Sequence, residues 1–191
     1  MKTTKVLLYC TKAKPVLLNL LNGTDYRLDS KELWKEYNPN DVYEVLNGKI
    51  VAECEVEVEK IVLLQKGSYY TPTLNTKELL EKSCLTKEQL SEYLKEECGY
   101  ALHIKNLRLA DKPRILNYFF KGKLGSENSL VEVTKAPQNM MYVYTSFELP
   151  EIVETEYVLI SIRPEWLCKI LNGKKTIEVR RKVLKEMISD E

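Results

Sequence analysis

The residues best suited to chemistry lie near the C-terminal end, in Gly173-Lys-Lys-Thr-Ile-Glu-Val-Arg-Arg181. Lys174, Lys175, Arg180 and Arg181 offer charge and donors to phosphate or carbonyl oxygens, and Thr176 adds a hydroxyl. Glu178 supplies a base or an orienting acceptor. A buried lysine with a lowered pKa can act as a general base, and a charged neighbour helps to lower it. The plainer account is a solvated strand face carrying ordinary surface charge, which is what most charge runs are.

Positioning these residues requires a strand, a short helix, a tight turn and a second strand. Tyr157 to Ile162 is apolar and β-branched and predicts a strand. Pro164 suits the first turn of a helix, with Glu165 facing the positive helix end. Trp166, Ile170 and Leu171 fall at helical spacing. Asn172-Gly173 stops the helix because both residues tolerate positive φ. From Lys175 the pattern alternates, with Thr176, Glu178 and Arg180 on one side and Lys175, Ile177, Val179 and Arg181 on the other.

The string Ile160-Ser-Ile-Arg-Pro-Glu-Trp, followed by Leu171-Asn-Gly-Lys-Lys-Thr-Ile-Glu-Val-Arg-Arg181, resembles the opening of an ASCH domain. Gly173, Lys175, Glu178 and Arg180 match that family's G-x-K-x-x-E-x-R pattern. Further pieces resemble the ASCH proteins of bacteria and their phages. They are Val6-Leu-Leu-Tyr-Cys-Thr-Lys12, Gly48-Lys-Ile-Val-Ala-Glu53, Gly99-Tyr-Ala-Leu-His-Ile-Lys-Asn-Leu107 with Asp111-Lys-Pro113, and Ala136-Pro-Gln-Asn139. The resemblance implies an α+β fold built on a PUA-like β-barrel with peripheral helices, and an association with RNA. It also makes Lys175 the counterpart of the family's catalytic lysine. Glu178 stands where one amidohydrolase branch has threonine, which departs from that branch's pattern.

The order of the pieces is reversed relative to the family: the opening strand–helix–strand unit comes last. A piece that short cannot bury enough surface to stand alone, and a barrel lacking it would expose sheet edges. The expected organisation is therefore one circularly permuted domain spanning residues 1–191. Its main part is 4–145, its linker 144–156, and its barrel-completing unit 157–182. Fully extended, the linker spans at most roughly 40 Å, about the width of such a domain, so closure in cis is possible. The rivals are a domain-swapped dimer and a truncated tandem.

Composition bounds the rest. The chain has 191 residues, 44% hydrophobic and 30% charged, so it can bury a core. With 29 basic against 28 acidic residues, any nucleic-acid surface must be a local patch rather than a global charge. Five cysteines, odd in number and without C-x-x-C spacing, indicate neither a disulfide framework nor a zinc site. No metal or other cofactor is implied, and Cys10, Cys54 and Cys168 fit small buried hydrophobes. The N-terminal apolar run is too short for a signal peptide and none reaches membrane-spanning length, so a cytoplasmic protein is expected.

Along the chain, Lys5 to Thr11 reads as a strand. Leu17 to Leu21 adds a helical turn, and residues 25–45 read as a variable loop with a turn at Asn38-Pro-Asn-Asp41. In Lys49 to Leu64, Ala52, Cys54, Val56 and Val58 alternate with Glu53, Glu55, Glu57 and Glu59, giving a half-buried strand with a solvated glutamate face. Four glutamates without histidine partners suit solubility and edge protection better than a metal. A turn at Tyr69–Pro72 precedes helices over 75–84 and 86–97, the second opened by the capping box Thr86-Lys-Glu-Gln89. Tyr100 to Leu109 is an alternating strand bearing the only histidine, His103, and Asp111-Lys-Pro113 turns the chain. Residues 121–129 are glycine- and serine-rich, 135–143 close as a short strand, and 183–188 form a short basic helix or tail.

Two functional classes and a third follow. In the leading one, a small RNA- or nucleotide-binding domain uses Lys174, Lys175, Thr176, Arg180 and Arg181, joined by Lys182, Lys185, Lys12 and Lys14, to track phosphates. Tyr9 or Tyr100 would stack on a base. In the second, implied by similar ASCH proteins, a hydrolase acts on acylated nucleosides or RNA through Lys175 and Glu178, with Glu53 as a candidate further carboxylate. The third is a protein-interaction module. His103 suits a hydrogen-bonded structural role better than that of a base, and Trp34 and Trp166 suit anchors.

Overall fold

The computed structural model describes residues 2–11, 48–65, 67–95, 97–121, 131–145 and 155–188. The elements in chain order are β1 (Thr3–Cys10), β2 (Ile50–Gln65), β3 (Ser68–Tyr70), α1 (Thr76–Ser83), α2 (Lys87–Leu94) and β4 (Gly99–Arg114). A 3-10 turn (Leu116–Tyr118), β5 (Phe119–Lys121), β6 (Val131–Glu132), β7 (Met140–Thr145), β8 (Thr155–Ile162), α3 (Pro164–Leu171), β9 (Ile177–Arg180) and a second 3-10 turn (Lys185–Met187) complete it. The chain is an α+β protein. It divides into two compact units, one of Met1–Thr4, Glu55–Leu107 and Lys169–Glu191, the other of Lys5–Cys54 and Arg108–Cys168.

The first unit carries the helices α1 and α2 on strands. Asn75 and Thr86 open the two helices with reciprocal capping boxes: Glu78 N–H donates to the Asn75 side chain and Gln89 N–H to that of Thr86. The Glu78 and Gln89 side chains accept from the cap backbones in return, satisfying donors the first turn leaves orphaned. Cys84 and Lys95 end the helices in the left-handed region at φ 55° each, a conformation non-glycine residues seldom take. The apolar faces bury Leu79, Leu90 and Leu94 against Ile61, Tyr69, Ala101, Ile177 and Val179. β9 pairs antiparallel with β4, Tyr100 opposite Arg180 and His103 opposite Ile177. At Gly99 a Cβ would lie 2.5 Å from Leu94 Cδ2 and 3.1 Å from the Arg180 carbonyl oxygen, so only glycine fits between the end of α2 and β9.

The second unit is strand-rich. Its hydrogen-bonded order is β6-β5-β7-β8-β1. β8 lies parallel to β1, with Leu8 opposite Ile160, and antiparallel to β7, with Met141 opposite Leu159. Val6 to Cys10 are all buried, which explains the unbroken apolar run: a strand covered on both faces has no polar side to show. Leu7, Tyr9, Ile50, Phe119, Val133, Val143 and Leu159 form its core. The segment expected to complete the fold thus gives an internal strand, β8, to this unit and an edge strand, β9, to the other.

Three expectations are revised. Asp111-Lys-Pro113 does not turn the chain; β4 runs on through Arg114. Proline's fixed φ is compatible with extended backbone, and its loss is only one donor. The first two residues of Tyr69–Pro72 belong to β3, and the turn comes after them, where Thr71 N–H donates to Leu74 C=O at 2.9 Å. The strand expected from 135 begins at Met140. Residues 17–21, 25–45 and most of 121–129 lie outside the described residues, as do 146–154 of the linker. Among the described residues no strand pairing closes a barrel, and no helix is long and apolar enough to cross a membrane.

Candidate functional site

The C-terminal motif lies in the first unit. After α3, Gly173 takes φ 76° and Lys174 N–H donates to the Asn172 side chain at 3.1 Å, a turn that needs a residue without a Cβ penalty. Lys175 N–H then donates to Lys169 C=O at 2.8 Å, and Thr176 N–H to Lys82 C=O at 2.9 Å. A helix leaves its last carbonyls unsatisfied and slightly negative. The end of α1 is satisfied here from outside: Lys175 Nζ donates to Ser83 C=O at 2.8 Å. The Cys84 thiol donates to Lys174 C=O at 3.3 Å, so the helix end and the motif are laced together.

Around this junction three charged side chains converge. Lys175 is 2% exposed. Its Nζ lies 3.2 Å from Glu178 Oε2, and Arg180 Nε lies 3.0 Å from Glu178 Oε1. The Arg180 Nε contact is an ion pair without hydrogen-bond alignment. Burial pushes the Lys175 amine below its ordinary range, against the pull of Glu178, which favours the charged form. The expected alternation set Lys175 apart from Glu178, and that is corrected. β9 begins only at Ile177, so Lys175 precedes the pleat and its side chain joins that of Glu178. Ile177 and Val179 share one side, as the alternation has them, and that side faces the core.

The remaining motif residues point to solvent: Lys174, Thr176, Arg181 and Lys182 are exposed. Arg181 sits over the Tyr93 ring, 5.7 Å from its centroid. Tyr9 cannot stack on a base. It is 5% exposed inside the second unit's core, and desolvation there raises its phenol pKa. The sequence showed only that it lay in an apolar run; a strand buried on both faces leaves no face for a ligand. Tyr100 is half-buried opposite Arg180. Lys12, Lys14 and Trp34 lie outside the described residues. Lys185 is exposed, and Trp166 half-buried. Glu53 belongs to the second unit, where it stands 4.0 Å from Arg108.

A second polar group went unrecognised in the sequence. The glutamates of β2 are not simply solvated; each meets a side chain of β4. Glu55 accepts from Asn106 at 2.6 Å, Glu57 pairs with Lys105 at 2.7 Å and Glu59 with His103 at 3.1 Å. Glu59 is 5% exposed and also accepts from the Thr73 hydroxyl at 2.8 Å. Burial works to raise its pKa, but hydrogen bonds from Thr71, Thr73 and His103 outweigh it and hold the carboxyl below its usual value. The signal was present as two alternations of complementary chemistry, Glu55-x-Glu57-x-Glu59 and His103-x-Lys105. In the second unit the Cys10 thiol is pushed up to about 12 by burial, with Cys168 and Glu165 adding to the rise, so it is inert. Among the described residues no three acidic, cysteine or histidine side chains are grouped to hold a metal ion.

No protein-family description, curated protein or solved structure matches this chain.

Proposed function

We propose that this chain is a small RNA- or nucleotide-binding protein whose C-terminal motif contacts phosphate. The observation that carries the reading is how burial divides that motif. Lys175 and Arg180 are inside, gathered on Glu178, and give the segment a rigid base. Lys174, Thr176, Arg181 and Lys182 are outside on the same short stretch, where cations and a hydroxyl can reach an anion. The ASCH resemblance supports an RNA partner and, for the fold, a permuted PUA-like barrel. Size-exclusion chromatography separates completion within one chain, a monomer, from exchange between two chains, a dimer.

Fluorescence-anisotropy titration of RNA at two salt concentrations tests the function, with a Lys174→Ala, Arg181→Ala, Lys182→Ala variant beside the wild type. Each lost phosphate contact should flatten the logarithmic salt slope by about 0.7 for a single strand. An unchanged slope would remove the motif from the binding site; an absence of wild-type binding would remove the reading.

A second reading, hydrolysis of acylated nucleosides or RNA, is favoured by Lys175 itself. A buried amine held below its ordinary range beside a carboxylate suits proton transfer. Turnover that a Lys175→Met variant loses while still binding RNA would select it, and binding without turnover would set it aside.

A further inference from the structure

We infer that Tyr93 with Arg181 is a nucleobase-stacking site that makes the bound nucleic acid single-stranded RNA, an inference that rests on the RNA-binding reading above. Tyr93 is 40% exposed on α2, a large aromatic surface that the core does not claim. The Arg181 guanidinium lies over its ring, 5.7 Å from the centroid. Arginine and tyrosine planes are both surfaces on which bases stack, and a stack of the two at the protein surface extends naturally by one more ring.

The site is preorganised. Gly99 lets the Arg180 carbonyl and Leu94 approach closer than any side chain would allow, which fixes the end of β9 against the end of α2. Arg181 follows directly from that contact and Tyr93 precedes Leu94, so both residues are anchored next to packed neighbours. Lys95 and Lys182 are exposed beside them in sequence and can reach the phosphates on either side of a stacked base. Glu92 and Glu97 are exposed nearby in sequence as well. The patch is therefore mixed in charge, and stacking has to supply much of its affinity. Bases in a duplex are already stacked on each other, and duplex RNA is recognised by shape and backbone, so this geometry selects unpaired bases.

The test is anisotropy binding of fluorescent single-stranded RNA, and of a duplex of equal length, to wild type, Tyr93→Ala and Tyr93→Trp. The expected result is a single-strand affinity lowered roughly five- to a hundredfold in Tyr93→Ala, the range for loss of one stacked base. Tyr93→Trp should retain it, the salt slope should be the same in all three, and the duplex should bind more weakly throughout. Salt-dependent binding that Tyr93→Ala leaves intact would overturn the inference and keep the RNA reading. So would a flattened slope in Tyr93→Ala, which would mean a displaced Arg181, or a preference for the duplex. No binding of either RNA by the wild type would overturn both.

Discussion

The two charged groups of the first unit invert the relation between distance and energy. On the row between β2 and β4, Glu57 and Lys105 approach to 2.7 Å, closer than any other ion pair described in the chain, yet half of the Lys105 side chain is in water. At the C-terminal motif, Lys175 and Glu178 stand farther apart, at 3.2 Å, with the lysine almost wholly enclosed. Water screens the first pair, and holding two long side chains in place offsets what attraction remains. The second pair interacts through protein, where attraction and the penalty for stripping water are both large. The environment, not the separation, decides what each pair is worth. Glu59 and His103 are graded between the two, with an enclosed carboxylate and an imidazole at 19% exposure.

The largest effect should come from leaving a buried charge without its partner. Glu178→Gln keeps the shape but removes the carboxylate that Lys175 and Arg180 share. It should destabilise by about 3 kcal/mol, the low end for a broken buried pair because Glu178 is 14% open to solvent. Lys175→Met keeps volume, removes the enclosed cation and leaves Glu178 with Arg180, so it should be close to neutral. Urea denaturation of both variants measures the contrast. Equal losses in the two would show that the packing of Lys175, not its charge, is what matters. The same amine gives a pH signature. Its folded pKa lies below the ordinary 10.5, so between those values the unfolded chain holds more protons and stability rises with pH. Lys175→Met should lack that rise.

Glu59 should give an intermediate effect of the same pH sense, at the acid end of the range. Its folded pKa is held below the ordinary 4.5, so its contribution is complete above that value and is lost as pH falls through the folded one. Glu59→Gln leaves an acceptor for Thr73 but removes the charge, and a loss of about 1–3 kcal/mol is expected at neutral pH. Thermal unfolding of wild type and variant across the acid range should show the two curves converging as pH drops. A constant gap would mean that the carboxylate titrates alike in folded and unfolded chains.

How much of this was legible in the sequence follows from the range of the forces involved. The capping box at Thr86, the Asn172-Gly173 stop and the strand of β2 were readable, since each is fixed by residues within a few positions of one another. So was the motif's capacity for charge chemistry. The sorting of that motif was not. Lys175 turns inward because the end of α1, residues 82–83, offers its carbonyls there, and nothing near residue 175 announces that. The pairing of Tyr93 with Arg181 was not legible either, since the two residues lie far apart along the chain. The Glu59–His103 pair likewise needs the register of β2 and β4, which two separate alternations imply only when laid side by side.

The smallest effect should come from the closest pair, and that makes it the sharpest test of the comparison. Lys105 holds Glu57 below the usual carboxylate range through a hydrogen bond and its charge, yet half of the Lys105 side chain is in water. Lys105→Met should leave the thermal midpoint within the scatter of the measurement, both in dilute buffer and with salt added to screen surface charge. The Glu57 carboxyl should titrate nearer its ordinary value in the variant, which side-chain carbon shifts in NMR can follow site by site. A pKa that moves while stability does not would separate a contact's local electrostatics from its worth to the fold. If Lys105→Met instead lowered the midpoint as far as Glu178→Gln, the short distance would matter after all, and burial would lose its place as the deciding variable.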